Sequence, residues 1–514
     1  MALNLMRVAK TLFRLLMVGA LQIAPVWGKV LVRWTQPVVP PAAALGVNEL
    51  VLAWNAGFDQ LLQTARRQGY KVYVETAVEN VAAVINASRK NLIAGIILNF
   101  DDSERSHRQG LLQALRSKYP GMAFLILGTN GKQPQMKGQM VFERNGILMV
   151  SSPTSQPWVD SNFALAQFER MRSASQIPLY SFQWDLSDQL QRAHGPSMDD
   201  YCLAIAEASA LHADLILNLH ESVERALAQN DSKAWTAWRQ VRTFLDFSTK
   251  GPGFRLEPLA DVGIVTDADK NSLEAVNLLV RHNIPLRVMG PSELNEGTFR
   301  GLHMVIVFSA PGIQEAKALA SFANNGRIVV LVDVPGSYPW HSLQHAAISE
   351  HAATYIAGKG RIIELSEPVT DPEVFAQDIR GLLGNENLTV SLWNSLTTLV
   401  VAYRSPGSDQ MIMEFVDYAE EPVQVQIRVK GNFAAVQYES PEQGCCARLE
   451  VVKNGEFTEF VIPSLRTAGR TYLKPAADRQ ARTHALKPAK FSTNAKAKLK
   501  EKSEPTWPHS LLRP

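Results

Sequence analysis

Residues 30–34 read VLVRW and residues 50–54 read LVLAW, the first two of eight short apolar runs between positions 30 and 219. The other six are Lys71–Glu75 (KVYVE), Ala94–Asn99 (AGIILN), Ala123–Leu127 (AFLIL), Gly146–Ser151 (GILMVS), Pro178–Trp184 (PLYSFQW) and Asp214–Leu219 (DLILNL). Helix-length amphipathic segments separate most of these runs. Eight strands that alternate with helices predict a (β/α)₈ barrel, whose functional residues gather at the carboxyl ends of its strands.

The predicted helices set the limits of this barrel at residues 29–252. Phe58–Gln68 has helical spacing and ends at Gly69, and Trp158–Ser173 follows the sixth run. Ser197 is placed as the N-cap of a helix that runs to Ala213, with two aspartates in its first turn. A polar helical region over His220–Thr249 then leads into a Gly-Pro-Gly stretch, which is typical of a domain boundary.

A different pattern begins at Asp261 and predicts a doubly wound α/β domain over residues 253–386. Its buried runs are Val262–Thr266, Pro285–Met289, Met304–Phe308 and Ile328–Val332, with helices at Ser272–His282 and Gln314–Asn325. Such runs are typical of a parallel sheet with helices on both faces. Neither glycine-rich nucleotide motif follows the first run, so the sequence does not support nucleotide binding.

Period-two alternation from about Leu388 predicts a small β-sandwich over residues 387–473. The runs are Leu399–Tyr403, Met411–Val416, Val423–Val429, Phe433–Tyr438, Arg448–Val452 and Phe457–Ile462. Residues 474–514 are rich in Lys, Ala, Pro and Ser and show no periodicity. This composition predicts a basic disordered tail.

The first 28 residues have the pattern of a secretory signal peptide. Arg7, Lys10 and Arg14 form a positive segment, and Leu15–Pro25 is an apolar stretch too short to span a bilayer comfortably. Cleavage before Lys29 would leave no segment able to span a membrane. We therefore expect a periplasmic or secreted protein, with an uncleaved anchor or a misplaced start as the alternatives.

Composition argues against several classes of function. The hydrophobic and charged fractions, 46% and 20%, are ordinary for a globular protein. The excess of Lys and Arg lies near the two termini, so the body is mildly acidic and has no basic surface for nucleic acid. Cys202, Cys445 and Cys446 are too few for a disulfide framework, and their spacing suggests no metal. No cofactor is expected, and a vicinal Cys445–Cys446 disulfide stays an open alternative.

The predicted order of domains resembles that of beta-galactosidases with a trimerisation domain. Phe299–Leu331 is similar to part of their flavodoxin-like middle domain, and Glu414–Val429 is similar to the terminal sandwich of glycoside hydrolase-like proteins. The resemblance implies a carbohydrate substrate and a homo-oligomer. The middle domain also resembles class I glutamine amidotransferases, but no cysteine lies between residues 203 and 444, so their nucleophile is missing.

The catalytic candidates are acids that follow predicted strands. In the enzymes that this chain resembles, a Glu after Asn ends strand four and a nucleophilic Glu ends strand seven. Here those places hold Asn99 followed by Asp101, and Trp184 followed by Asp185. Glu75 ends strand three. Glycoside hydrolysis generally requires two carboxyl groups facing the scissile bond, so Asp185 with Glu75 or Asp101 is the predicted pair. Each acid could equally be a solvated loop residue or a helix cap.

Aromatic and polar residues near the same strand ends are the predicted sugar-binding groups. The flat apolar faces of tryptophan stack on the C–H faces of sugars. The candidate stacking residues are Trp34, Trp54, Trp158 and Trp184, and the candidate hydroxyl-binding residues are Asn99, Gln156, His194 and Glu221. Two functions therefore stay open: an exported glycoside hydrolase acting on an oligo- or polysaccharide, and a non-catalytic carbohydrate-binding or assembly protein on a degenerate hydrolase barrel.

Overall fold

The computed structural model describes residues between 28 and 476. The described ranges are 28–55, 58–88, 93–100, 108–128, 135–136, 141–144, 147–150, 163–172, 179–182, 196–251, 256–267, 270–394, 396–405, 410–419 and 421–476. The chain divides into two compact units. Unit 1 comprises Met1–Gln139, Ser175–Pro258 and Tyr403–Ser408, and unit 2 comprises Met140–Ala174, Leu259–Ala402 and Asp409–Pro514. The predicted signal peptide, apart from Gly28, and the predicted tail from residue 477 lie outside the described residues.

A curled parallel sheet forms the centre of unit 1. The strands of the first 220 residues are β1 (Val30–Arg33), β2 (Glu49–Ala53), β3 (Lys71–Ala77), β4 (Gly95–Phe100), β5 (Ala123–Gly128), β6 (Gln135–Met136), β7 (Val141–Arg144), β8 (Ile147–Val150), β9 (Leu179–Phe182) and β10 (Asp214–Asn218). Eight of them form one sheet in the order β5-β4-β3-β2-β1-β10-β9-β6. Every neighbouring pair is parallel, which confirms the predicted barrel-type α/β class.

The helices of this part of the chain follow the predicted amphipathic segments. They are α1 (Ala42–Leu45), α2 (Phe58–Arg67), α3 (Val81–Ser88), α4 (Arg108–Lys118), α5 (Phe163–Arg172), α6 (Met198–Ala210), α7 (Glu221–Ala228) and α8 (Ser232–Thr249), with a 3₁₀ turn at Val78–Asn80. The Ser197 cap of α6 is confirmed: its hydroxyl accepts the Asp200 N–H at 3.3 Å, and the Asp200 carboxylate accepts the Ser197 N–H at 2.7 Å. This reciprocal box satisfies donors that the first turn would otherwise leave unpaired.

A buried apolar layer lies on the inner face of the curled sheet. Its members come from six strands and are Leu31, Val51, Tyr73, Ile97, Leu179 and Ile216. Side chains from six parallel strands meet in one cluster because the sheet curls toward closure, as in a barrel. Alternate residues of a strand share a face, so Arg33, Glu75 and Asn218 lie on this inner face, two residues further toward the carboxyl ends.

The sixth predicted barrel strand, Gly146–Ser151, is wrong as a barrel element. In the structure β8 pairs antiparallel with β7 in a separate two-stranded sheet. The following helix, α5, belongs to unit 2, where Ala164 and Phe168 join a buried cluster. Asn-Gly between two apolar runs, as at residues 145–146, is a strong signal for a two-residue hairpin. In the parallel sheet the place beside β9 is taken by β6.

Unit 2 contains the predicted doubly wound sheet. Strands between residues 257 and 365 are β11 (Glu257–Pro258), β12 (Val262–Val265), β13 (Leu286–Met289), β14 (Met304–Val307), β15 (Ile328–Val332), β16 (His345–Ile348), β17 (Ala352–Ala357) and β18 (Gly360–Leu365). The sheet order is β13-β12-β14-β15-β18-β17-β16. The first five strands are parallel and the last two antiparallel. The parallel part has the order 2-1-3-4-5, one of the common doubly wound arrangements.

Helices cover both faces of this sheet. They are α9 (Lys270–Arg281), α10 (Ile313–Asn324) and α11 (Pro372–Leu383), with 3₁₀ turns at Pro291–Glu293 and Pro339–Ser342. Side chains of α5, α9 and α11 pack on one face, and side chains of α10 pack on the other. Every residue of β12 and β14 is buried, as expected for strands covered on two sides.

The last part of the chain folds as the predicted antiparallel β-sandwich. Its strands are β19 (Val390–Trp393), β20 (Thr398–Arg404), β21 (Met411–Asp417), β22 (Val423–Lys430), β23 (Phe433–Ser440), β24 (Gly444–Leu449), β25 (Val451–Asn454), β26 (Phe457–Leu465) and β27 (Ala468–Pro475). One sheet has the order β19-β22-β26-β25; in the other, β20-β21-β27-β23-β24 follow one another, and β11 pairs with the end of β20. Cys445 and Cys446 form the vicinal disulfide that the sequence left open, whereas Cys202 is free and buried.

The described helices were also compared with the length and hydropathy that a bilayer requires. None of them is both long and apolar enough to cross a membrane.

Candidate functional site

An ion pair lies on the inner face of the curled sheet at its carboxyl end. Arg33 is the last residue of β1, and Glu75 lies near the end of β3. Arg33 Nη2 is 2.5 Å from Glu75 Oε2, and the two side chains are 24% and 12% exposed. Ala53 of β2, the register partner of Glu75, carries only a methyl group between them. The guanidinium therefore reaches the carboxylate across the intervening strand.

Asn218 and the Nε–H of Arg33 add hydrogen-bonding groups beside this ion pair. Asn218, at the end of β10, is the register partner of Arg33 and is partly exposed. In the described part of the chain, the buried Arg33 Nε has no hydrogen-bond partner. This N–H is therefore open to a partner that the described residues do not supply. The carboxyl end of the curled sheet, called its mouth below, thus carries a carboxylate (Glu75), a guanidinium with an unbonded Nε–H (Arg33) and an amide (Asn218).

Two of the predicted stacking residues, Trp34 and Trp54, lie within the described chain. Trp34 is 1% exposed, and its indole N–H donates to Val38 O at 3.0 Å. Its ring is therefore covered in this structure. Trp54 is half-buried, and its ring tilts against Phe58 with 5.0 Å between centroids. Both follow inward-facing residues by one position, so strand alternation directs them away from the inner face. Their role in sugar binding stays a prediction.

Two glutamates of α7, the helix that follows β10, differ in their exposure. Glu221 has 69% of its side chain exposed and forms an i,i+4 ion pair with Arg225 on α7. Glu224 of the same helix is 3% exposed. Its carboxylate accepts the Thr35 hydroxyl at 2.7 Å and the Gln36 N–H at 3.1 Å, and it also accepts the Thr35 N–H.

Glu224 therefore fixes the loop that follows β1, next to Arg33. Sequence reasoning missed this residue because an acid in the first turn of a helix is ordinary. The available signal was the Thr-Gln pair directly after the first barrel strand. Its donors require an acceptor when the loop is buried.

The opposite, amino-terminal end of the sheet carries a second polar group. Lys29 Nζ lies 3.7 Å from Glu49 Oε1 and 3.4 Å from the Tyr73 hydroxyl, and the Lys29 N–H donates to Asp214 Oδ1 at 2.8 Å. Burial raises the pKa of Asp214 to about 6, although the bond and charge of Lys29 oppose this. Chemistry in barrels of this type occurs at the carboxyl end, so we assign this group a structural role at the amino-terminal end of the sheet.

The remaining predicted site residues lie outside the described chain, apart from the backbone of Asn99. Asp101, Gln156, Trp158, Trp184, Asp185 and His194 lie outside the described residues. Asn99 is described by its backbone, which pairs with Ala77 and Leu127 in the parallel sheet. Of the three predicted catalytic acids, the structure therefore describes Glu75 and places it at the carboxyl edge where it was expected.

The described residues were also searched for metal-ligand clusters. The group found is Glu439, Cys445 and Cys446, whose ligand atoms lie within 4.8 Å of one another. The two sulfurs are bonded to each other in this structure and are not thiolates. The Arg33–Glu75 pair is not part of any such group within the described chain.

Comparison with known proteins shows the fold. An alpha-L-fucosidase, isoenzyme 2 from Paenibacillus thiaminolyticus, superposes with a TM-score of 0.54 at 12% identity, covering 88% of this chain and all of that one. A beta-galactosidase from Rahnella sp. R3 gives 0.48 at 9% identity, covering 82% and 95%. The exo-beta-1,4-mannosidase Op5Man5 from Opitutaceae bacterium strain TAV5 gives 0.42 at 10% identity, covering 69% and 96%.

Sequence comparison adds no closer relative. No protein-family model matches the chain, and no curated protein is significantly similar to it. The fucosidase superposition supports the predicted resemblance to glycoside hydrolases, and it does so at the level of fold.

Proposed function

We propose that this chain is an exported glycoside hydrolase that binds an oligo- or polysaccharide at the mouth of its curled parallel sheet. The observation that carries the proposal is the Arg33–Glu75 pair, which places a carboxylate on the inner face at the carboxyl end. This end is where barrel enzymes perform their chemistry. The fold is shared with the fucosidase described above, and a fold by itself does not fix a function.

Glu75 is assigned the role of the ionised carboxylate. A guanidinium that donates to a carboxylate at 2.5 Å binds its charged form. In a hydrolase of this kind, such a group acts as nucleophile, as base or as electrostatic support for the positively charged transition state. The spare Arg33 Nε donor would meet a sugar hydroxyl.

The second carboxyl group is assigned to Asp185, with Asp101 as the other candidate. In the sequence, Asp185 follows the last residue of β9 by three positions, and Asp101 directly follows the last residue of β4. Separations of about 5 Å and of roughly 6.5–9.5 Å between the carboxyl groups correspond to retention and inversion, respectively.

The aromatic and polar candidates would complete the site. Trp54, half-buried at the end of β2, offers part of its ring for stacking. The proposal keeps Trp34, Trp158 and Trp184 as stacking residues and Asn99, Gln156, His194 and Glu221 as hydroxyl-binding residues. The sugar partner and the possible homo-oligomer follow from the resemblance and belong to the same proposal.

One observation favours the second candidate function, a carbohydrate-binding protein without turnover. Glu75 is bound by Arg33, so the guanidinium competes with a substrate for the carboxylate. In the enzymes that this chain resembles, a Glu follows Asn at the end of strand four, whereas here Phe100 follows Asn99. A barrel that kept its sugar groove and lost its acid would show binding without hydrolysis.

The Glu75→Gln variant tests both candidates in one experiment. We expect turnover of a broad aryl-glycoside panel to fall about 10³-fold, equivalent to roughly 4 kcal/mol of barrier. Glu79→Gln, an exposed acid just after β3, serves as the control and keeps wild-type turnover. Full activity in Glu75→Gln would overturn the assigned role. A wild type that binds glycans and hydrolyses none of the panel would establish the binding protein instead.

Export is proposed from the N-terminal pattern and is tested separately. Protein isolated from the native host should begin near Lys29 when its N-terminus is sequenced. An intact Met1 on a cytosolic product would overturn export and leave the barrel chemistry untouched.

A further inference from the structure

Two adjacent cysteines lie opposite a single glutamate in the sandwich of unit 2. The pairing of β23 with β24 contains a register shift between Tyr438 and Ser440. At this bulge one residue of β23, Glu439, faces two residues of β24, Cys445 and Cys446. Neighbouring side chains of a regular strand point to opposite faces, whereas a bulge redirects one of them. The bulge therefore gives two adjacent sulfurs access to the same carboxylate.

The three side chains converge on one point. The two Sγ atoms and a carboxylate oxygen of Glu439 all lie within 4.8 Å of one another. A tetrahedral zinc ion binds sulfur at about 2.3 Å and carboxylate oxygen at about 2.0–2.2 Å, so its donor atoms are about 3.5–3.8 Å apart. Small side-chain rotations therefore bring this set of donors to the geometry of a zinc site.

Glu439 has one carboxylate oxygen in use and one available. Its Oε1 lies 3.0 Å from Arg470 Nη1 and accepts the Tyr472 hydroxyl at 2.7 Å. Among the described residues, no donor bonds to its other oxygen, Oε2. A second carboxylate, that of Glu414, also pairs with Arg470, so the guanidinium does not leave this group with a net positive charge. Glu439 is therefore held in place by one oxygen while the other can bind a cation.

The cysteines are exposed on the last strand of their sheet, where a reductant can reach them. They form a disulfide in this structure, so a metal ion can bind them only after reduction. One thiolate of an external dithiol attacks a sulfur of the pair and forms a mixed disulfide. The second thiolate of the dithiol then attacks its own sulfur in that mixed disulfide and releases the chain. Two electrons and two protons pass from the dithiol, which becomes a disulfide, to Cys445 and Cys446, which become thiols.

We propose that the reduced cysteine pair and Glu439 form a zinc site, and that oxidation to the disulfide closes it. Thiolate sulfur selects soft and borderline ions, and the carboxylate oxygen favours zinc over copper(I). Binding releases the two thiol protons, because metal ligands must be deprotonated. Three protein ligands leave the fourth tetrahedral position to water. This inference does not rest on glycoside hydrolysis, and it uses none of the residues at the mouth of the curled sheet.

The test compares the full chain in its reduced and oxidised forms. A phosphine reductant opens the disulfide and is then removed under argon. The reduced native chain should show two reactive thiols, because Cys202 is buried. Cobalt(II), a spectroscopic probe of zinc sites, should then give a thiolate-to-cobalt charge-transfer band that saturates at one ion per chain, and zinc should displace the cobalt. The oxidised chain should give no such band.

Variants of the three ligands test the donor set. Cys445→Ser, Cys446→Ser and Glu439→Gln should each raise the zinc dissociation constant about tenfold or more, since even the supporting partners of metal ligands contribute about 10–100-fold. Cys202→Ala, which removes the buried thiol, and Glu450→Gln, an exposed acid in the sandwich, are the matched controls and should leave the constant unchanged. Melting curves check that each variant folds. If Glu439→Gln does not fold, the two exposed cysteine variants still decide.

X-ray absorption of the zinc-loaded wild type provides a measurement that needs no variant. It should show two sulfur neighbours at about 2.3 Å, with oxygen atoms completing the shell. Four results overturn the proposal. They are no cobalt band in the reduced chain, an equal band in the oxidised chain, wild-type zinc affinity in either cysteine variant or in folded Glu439→Gln, and a zinc shell with one sulfur or with more than two.

Discussion

Two arginine–glutamate pairs in this chain have the same separation and very different surroundings. Arg33 and Glu75, on the inner face of the unit 1 sheet, approach to 2.5 Å with side chains 24% and 12% exposed. Arg470 and Glu414, in the sandwich, also approach to 2.5 Å with side chains 0% and 2% exposed. The contact distance alone does not reveal what a pair does. The exposure of the two side chains separates a structural pair from one available to a ligand.

In the sandwich, Arg470 has a glutamate on each of the two neighbouring strands. Arg470 on β27 has Glu414 of β21 and Glu439 of β23 as register partners, one on each neighbouring strand. Glu439 Oε1 lies 3.0 Å from Arg470 Nη1 and accepts the Tyr472 hydroxyl at 2.7 Å. Burial raises the pKa of Glu414 against the opposing charge of Arg470. This group holds three strands in register and is almost fully buried, whereas both side chains of the pair in unit 1 remain partly exposed.

Removing Arg470 should produce the largest effect. Arg470→Met leaves Glu414 and Glu439 buried without their cation, and breaking a buried pair in this way costs about 3–5 kcal/mol of unfolding free energy. Urea denaturation measures the loss. Arg225→Met, which breaks the exposed pair with Glu221, is the matched control and should cost about 1 kcal/mol or less. Equal losses in the two variants would show that burial does not separate the pairs as argued.

Arg33→Met should produce the next effect, and it should appear in function rather than in stability. The variant removes both the partner of Glu75 and the spare donor at the mouth. We expect kcat/KM, or the glycan association constant if there is no turnover, to fall about 100-fold, equivalent to roughly 2.7 kcal/mol. Arg33→Lys should recover part of this loss because it restores the charge without the planar fork. A fall in melting temperature as large as that of Arg470→Met would instead make Arg33 structural.

Sequence reasoning predicted the parallel sheet, the doubly wound domain and the sandwich because their buried runs have distinct periods. It misplaced the sixth barrel strand because the run at Gly146–Ser151 has the composition of any buried strand. The Asn-Gly before Ile147 carried the information that decided its pairing. Glu75 was found because strand ends are readable, but its partner Arg33 was missed because the two residues lie on β1 and β3 and meet across β2 only in the folded sheet.

The hydrogen-bonded cluster around Glu364 of β18 was missed for a different reason. Glu364 accepts the Trp340 Nε1–H and the Tyr355 hydroxyl, and these residues come together only after β17 and β18 have paired. No local spacing in the sequence marks that arrangement. Its tryptophan and tyrosines have the composition of an ordinary core, and their shared acceptor Glu364 becomes evident from the hydrogen bonds.

Asp417 offers a smaller test of how burial acts on a charge without an arginine. Burial raises the pKa of Asp417 to about 7, against hydrogen bonds from the Thr397 and Thr398 hydroxyls. The folded state therefore holds this proton where the unfolded state, with a pKa of about 3.9, has released it. The contribution of Asp417 to the free energy of unfolding should be greatest below about pH 4, fall by up to about 1.4 kcal/mol per pH unit toward pH 7, and level off above it.

Asp417→Asn should reduce the slope measured by urea denaturation across this pH range, and the remaining slope comes from groups such as Asp214 and Asp261, whose pKa values burial also raises to about 6. Asp246→Asn, an exposed acid on α8, should keep the wild-type slope. An unchanged slope in Asp417→Asn would mean that Asp417 does not carry the proton. Burial of Asp417 without an arginine partner would then not contribute to the pH dependence of stability.

The smallest expected effect concerns the rim of the curled sheet. Trp54 is half-buried and rests against Phe58, so truncating it removes an available ring face without opening the inner layer of the sheet. Trp54→Ala should weaken glycan binding by roughly 1 kcal/mol, about fivefold in affinity, by analogy with aromatic pairs. Trp393→Ala is the control, because Trp393 is 40% exposed in the sandwich and stacks with Arg428. Calorimetry with a bound oligosaccharide compares the two. If both variants bind as the wild type does, Trp54 is a packing residue, and among the described residues the sugar-binding part of the comparison rests on Arg33 and Glu75.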